Sequence, residues 1–114
     1  MDPAAKHFGH DAESRAAAIL ESEGLEILGR NIRAGHDEID LIARDGQVLV
    51  LVEVKARKGG LIAADLAFTR AKRARMLRAW QRLRQDGRVG YARALRCDLV
   101  LFAASGAWTH IRDL

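Results

Sequence analysis

A single cysteine among 114 residues excludes an intrachain disulfide and any zinc site built on cysteines. That residue, Cys97, lies in the apolar run from Leu95 to Phe102, the setting of a buried structural thiol. Apolar runs reach strand length and no further, so no segment reads as a membrane-spanning helix. The opening Met1-Asp2-Pro3-Ala4-Ala5-Lys6 stretch lacks a hydrophobic core of signal-peptide length, and a cytoplasmic protein with no membrane association is expected. Gly-x-Ser-x-Gly, His-Glu-x-x-His, the phosphate-cradling P-loop and the dinucleotide fingerprint are all missing, which turns the reading away from peptide and ester hydrolysis. Repeats, low-complexity tracts and interdomain linkers are absent as well.

What is present is a globular composition, 49% hydrophobic and 30% charged, in a length that suits one core. One domain over residues 1–114 is expected, with 1–8 a loose N-terminal segment. The charge is unevenly placed. Residues 1–53 hold 5 Lys/Arg against 11 Asp/Glu, and residues 54–114 hold 14 against 4, so a net of −6 is followed by a net of +10. A basic half in a chain of pI near 9.8 suits a polyanionic partner, nucleic acid above all, held through phosphate contacts. The plainer reading is a solvated basic helix.

Periodicity predicts a helix over 9–23, closed by Gly24, with Ala12, Ala16, Ile19 and Leu20 at helical spacing. Glu13 falls on the inward side of this helix, where a carboxylate requires a partner or a metal, although an acid near a helix start also suits the macrodipole. Short strands are predicted at 25–31 and 38–43. The nearly continuous Val and Leu of 47–56 predict a strand buried on both faces, central in a mixed sheet. A second helix over 65–85 carries Met76, Trp80 and Leu83 as its apolar stripe and Lys72, Arg75, Arg78 and Arg82 on the other side. Strands at 97–103 and 108–111 complete the chain.

The chemistry-bearing residues interrupt apolar strands. Asp40 breaks the run Ile39, Leu41, Ile42, and Glu53 and Lys55 end the run that begins at Val48. If Asp45-Gly46 is the two-residue loop of a hairpin, Asp40 pairs opposite Leu51 and lies diagonal to Glu53 on the same face, with Lys55 beside them. Two carboxylates converging on one face suit a hard divalent cation, Mg²⁺ or Mn²⁺, completed by water and a substrate phosphate. Lys55 would orient the attacking water and stabilise the charge that develops on phosphorus, and Glu13 could hold a second metal or a metal-bound water. Glu-x-Lys by itself is also an ordinary ion pair on a solvated strand. His7 and His10 lack a third ligand nearby and read as exposed, His36 adjoins the acidic loop, and His110 reads as an edge-strand surface residue.

Five blocks stand out: Gly9-His10-Asp11-Ala12-Glu13, Asn31-Ile32-Arg33, Glu38-Ile39-Asp40-Leu41-Ile42, Val52-Glu53-Val54-Lys55-Ala56-Arg57 and Arg96-Cys97-Asp98-Leu99-Val100. Together they resemble the YraN-like family of small bacterial proteins, within the restriction-endonuclease-like superfamily that is defined by a PD-(D/E)xK site. The resemblance implies an α/β, restriction-endonuclease-like fold with a central mixed β-sheet flanked by helices, similar to Holliday junction resolvases. It implies a Mg²⁺-dependent endonuclease site with Glu13, Asp40, Glu53 and Lys55 as its catalytic residues. DNA, branched or otherwise structured, is the implied substrate, with Arg57, Lys58, Lys72, Arg75, Arg78 and Arg82 on its phosphates and a homodimer matched to a symmetric junction. Asp37 stands where the family pattern has glycine and adds a negative charge beside the site. A nucleic-acid-binding or adaptor protein that keeps this fold without turnover is the alternative, and a protein-interaction role for the basic helix is the third.

Overall fold

The computed structural model describes residues 3–57, 64–90 and 92–113, and the side chains of 12–56, 70–90 and 92–113. Helix α1 (Pro3–Ser22) precedes a hairpin of β1 (Glu26–Ala34) and β2 (Asp37–Asp45), then β3 (Val48–Arg57), helix α2 (Ala64–Gln85), β4 (Ala94–Ala103) and β5 (Trp108–Ile111). The five strands form one sheet in the order β1-β2-β3-β4-β5. All pairs are antiparallel except β3 with β4, which run parallel. A parallel pair cannot be joined by a tight turn, and α2 supplies the crossover. This is the mixed sheet flanked by helices that the sequence predicts, with β3 at its centre.

Alternation along β3 explains how both faces are covered. Val50 and Val52 point to α1 and meet its small buried face of Ala12, Ala16, Ala17 and Leu20 together with Leu41, Ala43, Val100 and Phe102. Leu49 and Leu51 point the other way, against Met76, Ala79, Trp80 and Leu83 of α2. Alanines at α1 let the helix approach the sheet closely. The first helix starts at Pro3 and not at Gly9, and a proline near a helix start forfeits no intrahelical hydrogen bond.

Both helices stop as predicted. Gly24 takes φ +94°, the Leu25 N–H donates to the Leu20 carbonyl at 3.0 Å and the Gly24 N–H to that of Glu21, so two terminal carbonyls are satisfied while Leu20 and Leu25 pack together. At α2 the Arg88 N–H reaches the Leu83 carbonyl at 2.9 Å beside Gly87.

The β2–β3 turn corrects the predicted register. Asp45 pairs with Val48 and Ile42 with Leu51, so the loop is Gly46-Gln47, not Asp45-Gly46. Gly46 at φ +62° occupies the first central position, where a two-residue loop of the II′ kind calls for glycine. Asp45 closes the strand and accepts from Arg96 at 3.1 Å. The slip amounts to two residues, which leaves every side chain on the face it was expected to occupy.

Candidate active site

One step past the Leu41–Val52 rung the same register, if continued, sets Asp40 across from Glu53 in place of the diagonal relation expected, and the two carboxyls do interact. The β2–β3 pairing ends at the Leu41–Val52 rung, and the Asp40 carboxylate takes over from it: Oδ2 accepts the Val54 N–H at 2.9 Å. One carboxylate therefore braces β3 at the point where β2 leaves it. Glu53 has the same parity as Leu51 and faces α2. It is 5% exposed, one of two buried acids among the described residues.

Three cations bear on this face. Lys72 Nζ, from α2, lies 3.4 Å from Glu53 Oε1. Lys55, two residues along β3 and half-buried, acts on Glu53 through its charge. Arg75, a turn further along α2 than Lys72, is also half-buried. Even so, the Glu53 carboxyl is pushed up to about 8, by burial first and then by the charge of Asp40 and hydrogen bonding with it, against the pull of Lys72 and Lys55. Its Oε2 is buried with no hydrogen-bond partner. A buried carboxylate oxygen without a donor, beside a second carboxylate, is the electrostatic environment that a cation relieves. Oxygen donors of this kind suit Mg²⁺ or Mn²⁺. No third His, Cys, Asp or Glu joins them among the described residues.

Glu13 lies on α1, whose buried residues cover the opposite face of the sheet, and it is half-buried with contacts of its own. Lys72, Arg75, Arg78 and Arg82 of α2 lie along the margin between helix and hairpin; Lys72 and Arg75 are half-buried, and Arg78 and Arg82 are exposed to solvent. Lys72 meets Glu53, Arg78 grips Asp37 through two nitrogens at 3.1 and 3.3 Å, and the Arg82 guanidinium lies within van der Waals reach of the Cβ position at Gly35. The extra negative charge of Asp37 is thus compensated. The Arg78 contact, ahead of slight burial, holds its carboxyl below the usual range. A shallow depression of about 490 Å³ opens on this margin, lined by His36, Asp37, Arg78 and Arg82 among others. Lys58 and the side chain of Arg57 lie outside the described residues, as do the side chains of His7 and His10.

A second charged cluster, on the α1 side of the sheet, was not foreseen. Asp98 is fully buried and accepts from Arg96 through both oxygens at 2.9 and 3.0 Å, from His110 Nε2 at 2.8 Å and from the Asp113 N–H at 3.0 Å. His110 contacts Glu23 through Nδ1 at 2.9 Å, and Arg112 also pairs with Glu23. His110 is therefore no surface residue: its side chain is 4% exposed and joins β5 to β4 and to the end of α1. The signal for it was Asp98 within an apolar strand. Its partner lay twelve residues away, and no local periodicity linked the two.

These features define a mixed-sheet α/β domain whose neighbouring strands β2 and β3 bring Asp40 and Glu53 together beneath a basic helix. The chain belongs to UPF0102, described as an uncharacterised protein family, whose profile matches residues 12–102; it is the YraN-like group named above. Similar relatives bear the same family name. A UPF0102 protein of Pelotomaculum thermopropionicum is 39% identical over 93% of this chain and 90% of its own length. One of Nitrobacter winogradskyi is 47% identical over 71% of this chain and 68% of its own length. One of Chlorobium chlorochromatii is 49% identical over 65% of this chain and 58% of its own length. Among the described residues, no helix is long and apolar enough to cross a membrane.

Proposed function

We propose that the protein is a metal-dependent endonuclease of the PD-(D/E)xK kind that hydrolyses phosphodiester bonds in DNA. The observation that carries this reading is the interacting pair Asp40 and Glu53, with one buried Glu53 oxygen lacking a hydrogen-bond donor. Asp40 and Glu53 would hold Mg²⁺ or Mn²⁺, which when bound supplies a Lewis acid to a phosphate oxygen. Lys55 places a positive charge on the same face, where it favours deprotonation of an attacking water and offsets charge gathering on phosphorus. Asp40 has a second task, since its hydrogen bond to the Val54 N–H sets the position of the strand that bears Glu53 and Lys55. The row Lys72, Arg75, Arg78 and Arg82 borders this face and supports phosphate contacts that position a strand without reading its sequence. Branched DNA in recombination or repair is the favoured substrate, and a homodimer would match its symmetry.

The test is cleavage of branched and linear DNA with Mg²⁺ or Mn²⁺. Asp40→Asn is expected to abolish cleavage while DNA binding persists, because the amide oxygen can still accept from Val54. Equal cleavage by the variant would expose a contaminating nuclease and end the proposal. One observation favours the non-cleaving adaptor: both acids already have structural contacts, Asp40 with Val54 and Glu53 with Lys72. On that reading DNA binding is sensitive to salt, no divalent ion supports cleavage, and Glu53→Gln leaves binding unchanged.

A further inference from the structure

Within the basic row of α2, Lys72 is turned to the acid pair, whereas the Arg78 side chain keeps 62% of its exposure. Lys72 Nζ turns away from solvent to Glu53 Oε1 at 3.4 Å, and its side chain keeps only 26% of its exposure. We propose that Lys72 is the built-in counter-ion of the acid pair: in the empty protein its ammonium neutralises the Glu53 carboxylate through Oε1, beside the open Oε2 that a divalent ion would take, and metal loading exchanges one cation for the other. The proposal rests on the reading of Asp40 and Glu53 as a metal site.

Two carboxylates side by side in a poorly solvated place repel each other, and a cation must offset that repulsion if both are to stay ionised. Lys72 comes from α2, across from the strand that bears Glu53, so its position does not depend on the strand pairing that builds the acid pair. A lysine suits an exchangeable role. Its ammonium is a point charge on a flexible stem and has no fixed fork to hold two oxygens. The contrast lies within the same sheet, where Arg96 grips both oxygens of Asp98 and the remaining approaches are closed by His110 and the Asp113 amide. Glu53 keeps one oxygen on a single lysine and the other without a donor. The first arrangement locks its acid; the second leaves it open to exchange. The partial exposure of Lys72 gives the displaced ammonium a route to solvent, at the edge where the basic row of α2 would meet a phosphate. Lys72 is thus a positioning residue that sets how tightly the site takes its ion.

The test is calorimetric titration of the full chain with Mg²⁺ at fixed alkaline pH and fixed ionic strength, the same for every variant. Removing a unit charge next to a ligand oxygen is expected to tighten Mg²⁺ binding about tenfold in Lys72→Met, and likewise in Lys72→Gln. Lys72→Arg should bind no more tightly than the unaltered protein. Arg73→Met, which removes the same charge from an exposed position on α2, should change binding less than twofold and so controls for net charge. Circular dichroism establishes that each variant folds. Unchanged or weaker binding in both neutral variants overturns the Lys72 proposal alone, provided that Asp40→Asn weakens binding. If Asp40→Asn leaves Mg²⁺ binding intact, the metal reading itself fails and Lys72 falls with it.

Discussion

Glu53 and Asp98 are both buried acids on neighbouring central strands, yet they are treated in opposite ways. Asp98 sits on the α1 side with four donors on its two oxygens. Burial by itself would raise its carboxyl, but the hydrogen bonds from His110, Arg96 and the Asp113 amide outweigh that and hold it below the usual range. Glu53 sits on the α2 side with one lysine, a neighbouring like charge and an oxygen that nothing donates to, and it is pushed up to about 8. Equal depth with unequal satisfaction separates an acid that holds the fold together from one left under-satisfied. On the proposed metal reading, a bound cation would answer that under-satisfied group.

The sharpest way to break this comparison is substitution of each acid followed by denaturant unfolding. Asp98→Ala strands Arg96 and His110 beside an emptied pocket and is expected to cost about 3–5 kcal/mol, the scale for removing one partner of a buried ion pair. Glu53→Gln should be neutral or stabilising, by up to about 2 kcal/mol near pH 8, because it removes a charge that burial penalises. Similar losses at both positions would erase the distinction.

The pH dependence gives a finer test. A glutamic acid whose folded value exceeds its unfolded 4.5 keeps its proton in the native state, so the stability it contributes declines as pH climbs from that value to about 8. Glu53→Gln should flatten that part of the stability profile. His110 is raised above 6.5, chiefly by its bond to Asp98 and, against the cost of burial, by the bond to Glu23. Its contribution is complete below 6.5 and is lost as pH rises through its folded value. His110→Gln is therefore expected to cost about 2 kcal/mol at pH 6 and less at pH 9, in keeping with charge-assisted hydrogen bonds. A deficit equal at both pH values would mean that the imidazole acts by shape alone.

Legibility in the sequence differed between elements for identifiable reasons. Both helices were readable because their apolar residues recur at a period of 3.6, the central strand because its Val and Leu run is nearly unbroken, and Gly24 and Gly87 end the helices by local backbone chemistry. The acid pair was readable because a charge within an apolar strand calls for an explanation, and its face survived an error in the turn because a two-residue slip preserves parity. The direction of the α2 cations was not readable. Arg78 does stay on a solvated face, 62% exposed while it pairs with Asp37 of β2, but Lys72 is drawn inward by Glu53 of β3. His110 was misread for the same reason, since Asp98 and Glu23 reach it from other elements.

Local pattern by itself settled which segments are helix and strand, which strand is central, and which side chains break the apolar runs, because each depends on neighbours a few residues away. Tertiary structure alone decided that Glu53 meets Asp40, that a helix lysine reaches it, and that Asp98 is saturated by Arg96 and His110. Those outcomes depend on charges brought within a few ångströms by packing, and the strength of such contacts is set by distance and burial, which no sequence spacing encodes.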